Sequence, residues 1–123
     1  MNKILVSTLL SFILGASCAS AKRLMPERVY QDAWCKGKGA TEVVMSDRTR
    51  IDCLTSTHAV EMDFADKWAE SIGQSLGYAV MSGRRAGVAL IVEKPSHKAK
   101  WNKLNTVIKE MNLPIDTWMI EPK

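Results

Sequence analysis

The sequence predicts a mixed α/β domain, a single β-sheet flanked by helices. Three observations point there. Short β-branched or alternating segments separated by turns fill residues 41–64, helical periodicity takes over from Asp66, and a near-continuous apolar run follows at Ala86–Glu93. A run of that last kind is what a strand covered on both faces carries, because neither face meets water.

Taken in order, Lys22 to Arg28 reads as an exposed lead-in and Val29 to Cys35 as a short helix with Tyr30 and Trp34 on one side. The glycines of "KGKG" (Lys36–Gly39) make a turn. "TEVVM" (Thr41–Met45) is a strand, "SDRT" a turn, and "RIDCL" (Arg50–Leu54) its hairpin partner. "TSTH" turns the chain into a third strand, "AVEMDF" (Ala59–Phe64). Trp68, Ile72, Leu76 and Ala79 then recur at helical spacing, with Asp66 placed to cap the start and Ser82-Gly83 to end it. Ala86–Glu93 is the fourth strand, Lys98–Met111 a helix stopped near Pro114, and "DTWMI" (Asp116–Ile120) a last short strand. The order is α-β-β-β-α-β-α-β, an α/β or α+β arrangement with one mixed sheet.

Residues 1–21 stand apart. Lys3, the apolar run Ile4–Leu14 and the small residues Ala19-Ser20-Ala21 have the layout of a secretory signal peptide, with cleavage expected after Ala21. The run is shorter than the about 20 residues that span a bilayer, so no stable membrane association is expected after cleavage. Cys18 in "LGASC" weakly matches a lipoprotein signal, but Gly15 stands where such signals carry a larger aliphatic residue. The expected location is periplasmic or secreted, and residues 22–123 form one domain.

Loss of Lys3 takes one charge off the formal +4, leaving a mildly basic chain. Nucleic acid is permitted as a partner but not demanded, and no oligomeric state is indicated. Two cysteines remain, Cys35 and Cys53, and in an oxidising compartment two thiols of a small domain usually pair. A disulfide closing a loop of about 18 residues adds roughly 3 kcal/mol. Pairing removes a cysteine nucleophile, and two Cys with two His lack the spacing of a zinc site.

Alternation sorts the charged residues of the strands. Arg50, Asp52 and Leu54 share one side, with Ile51 and Cys53 on the other. Glu61 and Asp63 point away from the apolar set Val60, Met62 and Phe64, and Glu42 shares a side with Val44. In a meander of neighbouring strands Glu42, Asp52, Glu61 and Asp63 converge on one face. Carboxylates so gathered repel one another unless a cation neutralises them, and hard oxygen ligands suit Mg²⁺, Mn²⁺ or Ca²⁺. The competing arrangement turns the same acids to solvent, paired with Arg48, Arg50 or Lys67. On the following helix Lys67, Glu70, Gln74 and Tyr78 form a polar stripe beside the apolar one.

This element order, with Asp52 on the second strand, Glu61 on the third and Gln74-x-x-x-Tyr78 on the helix, resembles the PD-(D/E)xK nuclease superfamily. The Gln-x-x-x-Tyr feature is similar to its RecB-like branch. The resemblance covers nearly all of Val29–Ile120 and implies a restriction-endonuclease-like fold. It implies that Asp52 and Glu61 hold Mg²⁺ or Mn²⁺, with Glu42 as a further ligand, and that Gln74 and Tyr78 position substrate or support the site; Asp63, on the same face as Glu61, is a further candidate ligand. It departs in one place: a Lys is expected two residues after Glu61, where Asp63 stands. Lys67, at the start of the helix, is the candidate to supply that charge.

Phosphate contacts of a nuclease fall to Lys and Arg. Arg84 and Arg85 follow the Gln74 helix, and "KPSHKAKWNK" (Lys94–Lys103) gathers four lysines with His97 and Trp101, either a DNA-facing rim with one stacking ring or an ordinary solvated face over a core Trp. The sequence thus leads to an exported metal-dependent phosphodiesterase acting on DNA or RNA. The alternatives are a catalytically inactive binding module on the same fold, whose acids pair with Arg50, Lys67 or Arg85, and a purely structural envelope protein.

Overall fold

The computed structural model describes residues 22–123. The expected leader and its cleavage or lipidation sites, Ala21 and Cys18, lie outside the described residues. Among the described residues no helix is long and apolar enough to cross a membrane.

Helix α1 (Glu27–Cys35) starts directly after Pro26, two residues earlier than the apolar pattern indicated, which places Glu27 on the helix. It buries Tyr30, Gln31 and Cys35 and ends in a turn where Gly37 takes φ +77, a conformation that favours glycine. β1 (Gly39–Val44) and β2 (Arg50–Thr55) form the expected hairpin. Its loop is held by Asp47, whose carboxylate accepts from the Thr49 amide at 2.8 Å and the Thr49 hydroxyl at 2.6 Å. β2 turns into β3 (His58–Phe64) through Thr55, whose hydroxyl oxygen accepts from the amides of Thr57 and His58.

From β3 onward the pairing is parallel. Helix α2 (Trp68–Ser82) crosses over to β4 (Arg85–Ile91), and α3 (Lys98–Glu110) crosses to β5 (Ile115–Ile120). The five strands lie in the order β1-β2-β3-β4-β5, antiparallel through β3 and parallel beyond it. Two crossovers of one hand advancing in one direction put both helices on the same face. That face holds Ala86, Val88, Leu90, Leu104 and Ile115, with Trp68, Ile72, Leu76 and Ala79 of α2 packed against them. The other face is covered by α1, over Val60, Met62, Phe64, Ala89 and Ile91. The mixed sheet flanked by helices and the element order are those the sequence predicts.

Cys35 and Cys53 form a disulfide, S–S 1.99 Å, joining α1 to β2. Gly83 ends α2 in the left-handed conformation, its amide bonded to the Ala79 carbonyl at 2.9 Å. The start of α2 differs from expectation. Asp66 does not cap it. A short 3₁₀ turn (Ala65–Lys67) intervenes, and the Asp66 carboxylate pairs with Arg23 at 2.7 Å instead.

Candidate functional site

Strands β2 and β3 pair as Cys53–Val60 and Leu54–Ala59 and then part. Backbone groups left over from a ladder need other partners, and side chains supply them here. The Met62 amide donates to Asp52 Oδ2 at 2.8 Å, and the Asp52 carbonyl accepts from Gln31 Nε2 of α1 at 2.7 Å. The opening is thus lined by an Asp on one strand, by Glu61 and Asp63 on the other, and by side chains of α1.

Glu61 and Asp63 face α2, not solvent. They are 3% and 7% exposed, and Asp52 is half-buried. Room for α2 to lie close comes from Ser71 and Ser75, both fully buried, whose hydroxyls donate back to the carbonyls of Trp68 and Ile72 at 2.6 and 3.0 Å. Tyr78, further along the same side of the helix, sets its hydroxyl against Glu61.

Burial pushes every carboxyl of the group upward in pKa. Glu61 is affected most: desolvation, then the Asp52 and Asp63 charges, carry it to about 11, with the Tyr78 hydroxyl pulling weakly the other way. Asp52 is raised by desolvation against the opposing Met62 amide, and Asp63 by desolvation against Glu61 and Lys67. Glu27 of α1 joins the cluster, raised to about 7 by desolvation and by Asp63 and Asp52. Tyr78 is raised as well, by desolvation and then by Glu61. Glu61 Oε2 is buried with no hydrogen-bond partner among the described residues. The charged groups that act on it are Asp52 and Asp63, so a shared proton, a buried water or a cation would satisfy it.

Not every predicted member sits where the pattern put it. Asp52, Glu61, Asp63 and Tyr78 come together, and Lys67 is near enough for its charge to lower Glu27 and Asp63, though it makes no ion pair among the described residues. Glu42 stands at the flank. Its backbone takes φ 55, and its carboxylate meets Arg50 at 3.5 Å, Arg28 at 3.8 Å and Gln31 at 3.2 Å. Gln74 is exposed on the outer side of α2. Arg84 and Arg85 lie at the far end of the sheet, bonded to the Thr55 carbonyl and to Asp116. Trp101 packs into the α2–α3 core, which leaves no free stacking ring in the Lys94–Lys103 segment. Glu27 and Gln31 were not singled out from sequence. Their only local signal was a helix start at Pro26.

The donor set is made of hard oxygens, buried and unmatched by any cation among the described residues, which fits a divalent ion. As the carboxyls stand, no group of three or more His, Cys, Asp or Glu side chains among the described residues is arranged to hold a metal ion. With carboxyls raised as these are, protons are retained in the cluster, and a cation would have to displace them.

The fold and this cluster define the class: an α+β domain with a five-stranded mixed sheet and a buried, cation-free carboxylate site. No family model matches the chain, and neither the curated proteins nor the solved structures contain a match.

Proposed function

We propose that this is an exported, nuclease-like domain that hydrolyses phosphodiester bonds of DNA or RNA with Mg²⁺ or Mn²⁺ at the carboxylate cluster. The observation that carries the reading is Glu61 Oε2, a buried carboxyl oxygen with no hydrogen-bond partner among the described residues, gathered with Asp52 and Asp63. A fold with arginines on the same sheet leaves such a group unmatched only at a cost, and uncompensated carboxylates gather where function needs them.

Asp52 and Glu61 would hold the ion, with Asp63 and Glu27 beside them. Glu42, already matched by Arg28 and Arg50, is better suited to fixing Gln31 and through it the opening between the strands. When bound, such a cation supplies Lewis-acid polarisation of a phosphoryl oxygen. The protein supplies placement. The Met62 amide pins Asp52, the Tyr78 hydroxyl steadies Glu61, and Lys67 brings a positive charge to the solvent edge, where a phosphate would arrive. Gln74, one turn before Tyr78, is exposed on the outer side of α2 and has no part in this cluster.

A second reading, a catalytically inactive binding module, draws support from Asp63 standing where the resemblance expects Lys. Of the ion pairs that reading requires, Arg50 meets Glu42, while Arg85 is engaged with Asp116 and Lys67 acts on Asp63 through its charge without an ion pair among the described residues.

The test is incubation of the purified protein with plasmid, single-stranded DNA and RNA, with Mg²⁺ or Mn²⁺, beside Asp52→Ala and Glu61→Ala. Metal-dependent cleavage lost in both variants is expected. Cleavage that survives both, or none by the parent with either metal, removes the enzymatic reading.

A further inference from the structure

A second concave site lies at the other end of the sheet, on the α1 face, and the hydrolytic reading makes no use of it. It encloses ≈ 330 Å³, at the lower end of the about 300–1,000 Å³ of small-molecule pockets. Trp34 and Trp118 wall it, their rings 5.4 Å apart and tilted by 53°. The six-membered ring of Trp118 closes on Gly87, where a Cβ would stand 2.7 Å from the indole, so glycine is what admits the ring here.

The polar side is ordered by one hydrogen-bonded chain. Asp116 is paired with Arg85, which keeps it ionised, and its Oδ2 accepts from His58 Nε2 at 2.7 Å. His58 Nδ1 lies 2.7 Å from the Thr57 hydroxyl oxygen and, in the neutral ring with its proton on Nε2, accepts from it. In that tautomer Thr57 Oγ1 offers the pocket lone pairs. Lys38 supplies the positive charge. Its ammonium donates to the Trp34 carbonyl at 2.8 Å and has two further N–H groups to give, and no acidic residue lines the cavity. The exposed Ser56 hydroxyl stands beside it.

The carboxylate–imidazole–hydroxyl order is that of a proton relay, yet the surroundings speak against acyl transfer at Thr57. The amides of Thr57 and His58 both donate to Thr55 Oγ1, which leaves neither to hold a developing oxyanion. The arrangement suits binding instead.

We infer that this pocket binds an anionic monosaccharide, a sugar ring bearing a carboxylate or a phosphate. The C–H face of the ring packs on Trp118, whose π-face attracts its partly positive hydrogens, since the Lys38 ammonium already lies over the Trp34 ring, 4.9 Å from its centroid. A ring hydroxyl donates to Thr57 Oγ1, and the anionic group meets Lys38 and Ser56. A neutral sugar forgoes the lysine, and a flat aromatic anion forgoes the Thr57 acceptor.

Titration of the purified protein with glucuronate, glucose 6-phosphate, glucose and benzoate, read by tryptophan fluorescence and by ligand-observed NMR, tests this. Expected is binding of glucuronate, glucose 6-phosphate or both, each at least about tenfold tighter than glucose or benzoate. Lys38→Met and Ser56→Ala, both at exposed positions that leave the core intact, should weaken it, Lys38→Met by about tenfold or more. Binding of one sugar anion alone tells carboxylate from phosphate as the preferred group. The inference is overturned if neither sugar anion binds at about 10 mM, if benzoate binds better than both, or if both variants bind as the parent does.

Discussion

Glu61 and Asp116 are carboxylates on the same five-stranded sheet, and their surroundings are opposite. Asp116 accepts hydrogen bonds from Arg85 and His58, which hold its carboxyl below the usual carboxylate range. Glu61, one register step away but on the opposite face under α2, meets Asp52 and Asp63, and its carboxyl is driven far upward. The fold therefore matches a strand-borne acid with cations on one face of the sheet and gathers it with like groups on the other. A buried charge cluster kept without partners destabilises the protein that carries it. Its presence beside a well-paired neighbour sets it apart from the ordinary polar structure of the sheet.

The contrast can be broken on either face. The largest effect expected is on chemistry: Glu61→Gln should lower metal-dependent phosphodiester cleavage about 100-fold or more, while Asp116→Asn leaves it within a few-fold, about the scatter of surface changes. Metal-free Glu61→Gln should nevertheless melt above the parent at pH 8, because the amide folds without taking up the proton that Glu61 must bind at that pH. Equal losses of cleavage from the two substitutions would erase the distinction.

Next in size is the disulfide. Cys35–Cys53 ties α1, the source of Glu27 and Gln31, to the strand that carries Asp52. Cys35→Ala with Cys53→Ala should cost about 3 kcal/mol in chemical denaturation. It should also weaken Mn²⁺ binding, since Gln31 then no longer holds the strands apart in register. Unchanged affinity in the double variant would show that α1 does not shape the site.

The pH dependence sharpens the comparison further. Glu27 and Glu61 have folded-state pKa values above the ordinary 4.5, Glu27 at about 7. Above pH 4.5 the unfolded chain gives up protons that the folded cluster retains, so stability falls as pH rises, through pH 7 for Glu27 and beyond it for Glu61. Thermal melts without metal should therefore drop from pH 5 to pH 8, and Mn²⁺ should restore more at pH 8 than at pH 5. For Asp116 the sign is reversed. Its lowered pKa contributes stability that is present above its unfolded value and lost as pH falls through the folded one. Being half-exposed, it is the smallest of the four effects, about 1 kcal/mol or less for Asp116→Asn.

The sheet and its carboxylates were legible because strand alternation is strict. Period two placed Asp52, Glu61 and Asp63 on one face and Ile51, Cys53 and Met62 on the other, and the structure keeps that division. What escaped depends on tertiary placement. Glu42 leaves the alternation through a left-handed residue inside β1, at which no glycine announced the bend. Glu27 and Gln31 reach the site only because β2 and β3 part, and no local pattern encodes that opening. On α2 the polar stripe was grouped too broadly. A step of four residues advances about 40° around a helix, enough to leave Tyr78 at the rim of the buried side and Gln74 beyond it. Ser71 and Ser75 passed as polar surface, since serine gives no sign that its hydroxyl will turn back onto its own helix.

The central claim is that the unmatched carboxylates around Glu61 are a divalent-cation site. Calorimetric titration of the metal-free protein with Mn²⁺ at pH 8, in two buffers of different ionisation enthalpy, tests it most directly. The account predicts saturable binding that releases protons from the cluster and is lost in Glu61→Gln but kept in Asp116→Asn. No binding at about 10 mM Mn²⁺, or equal binding by Glu61→Gln, would contradict it.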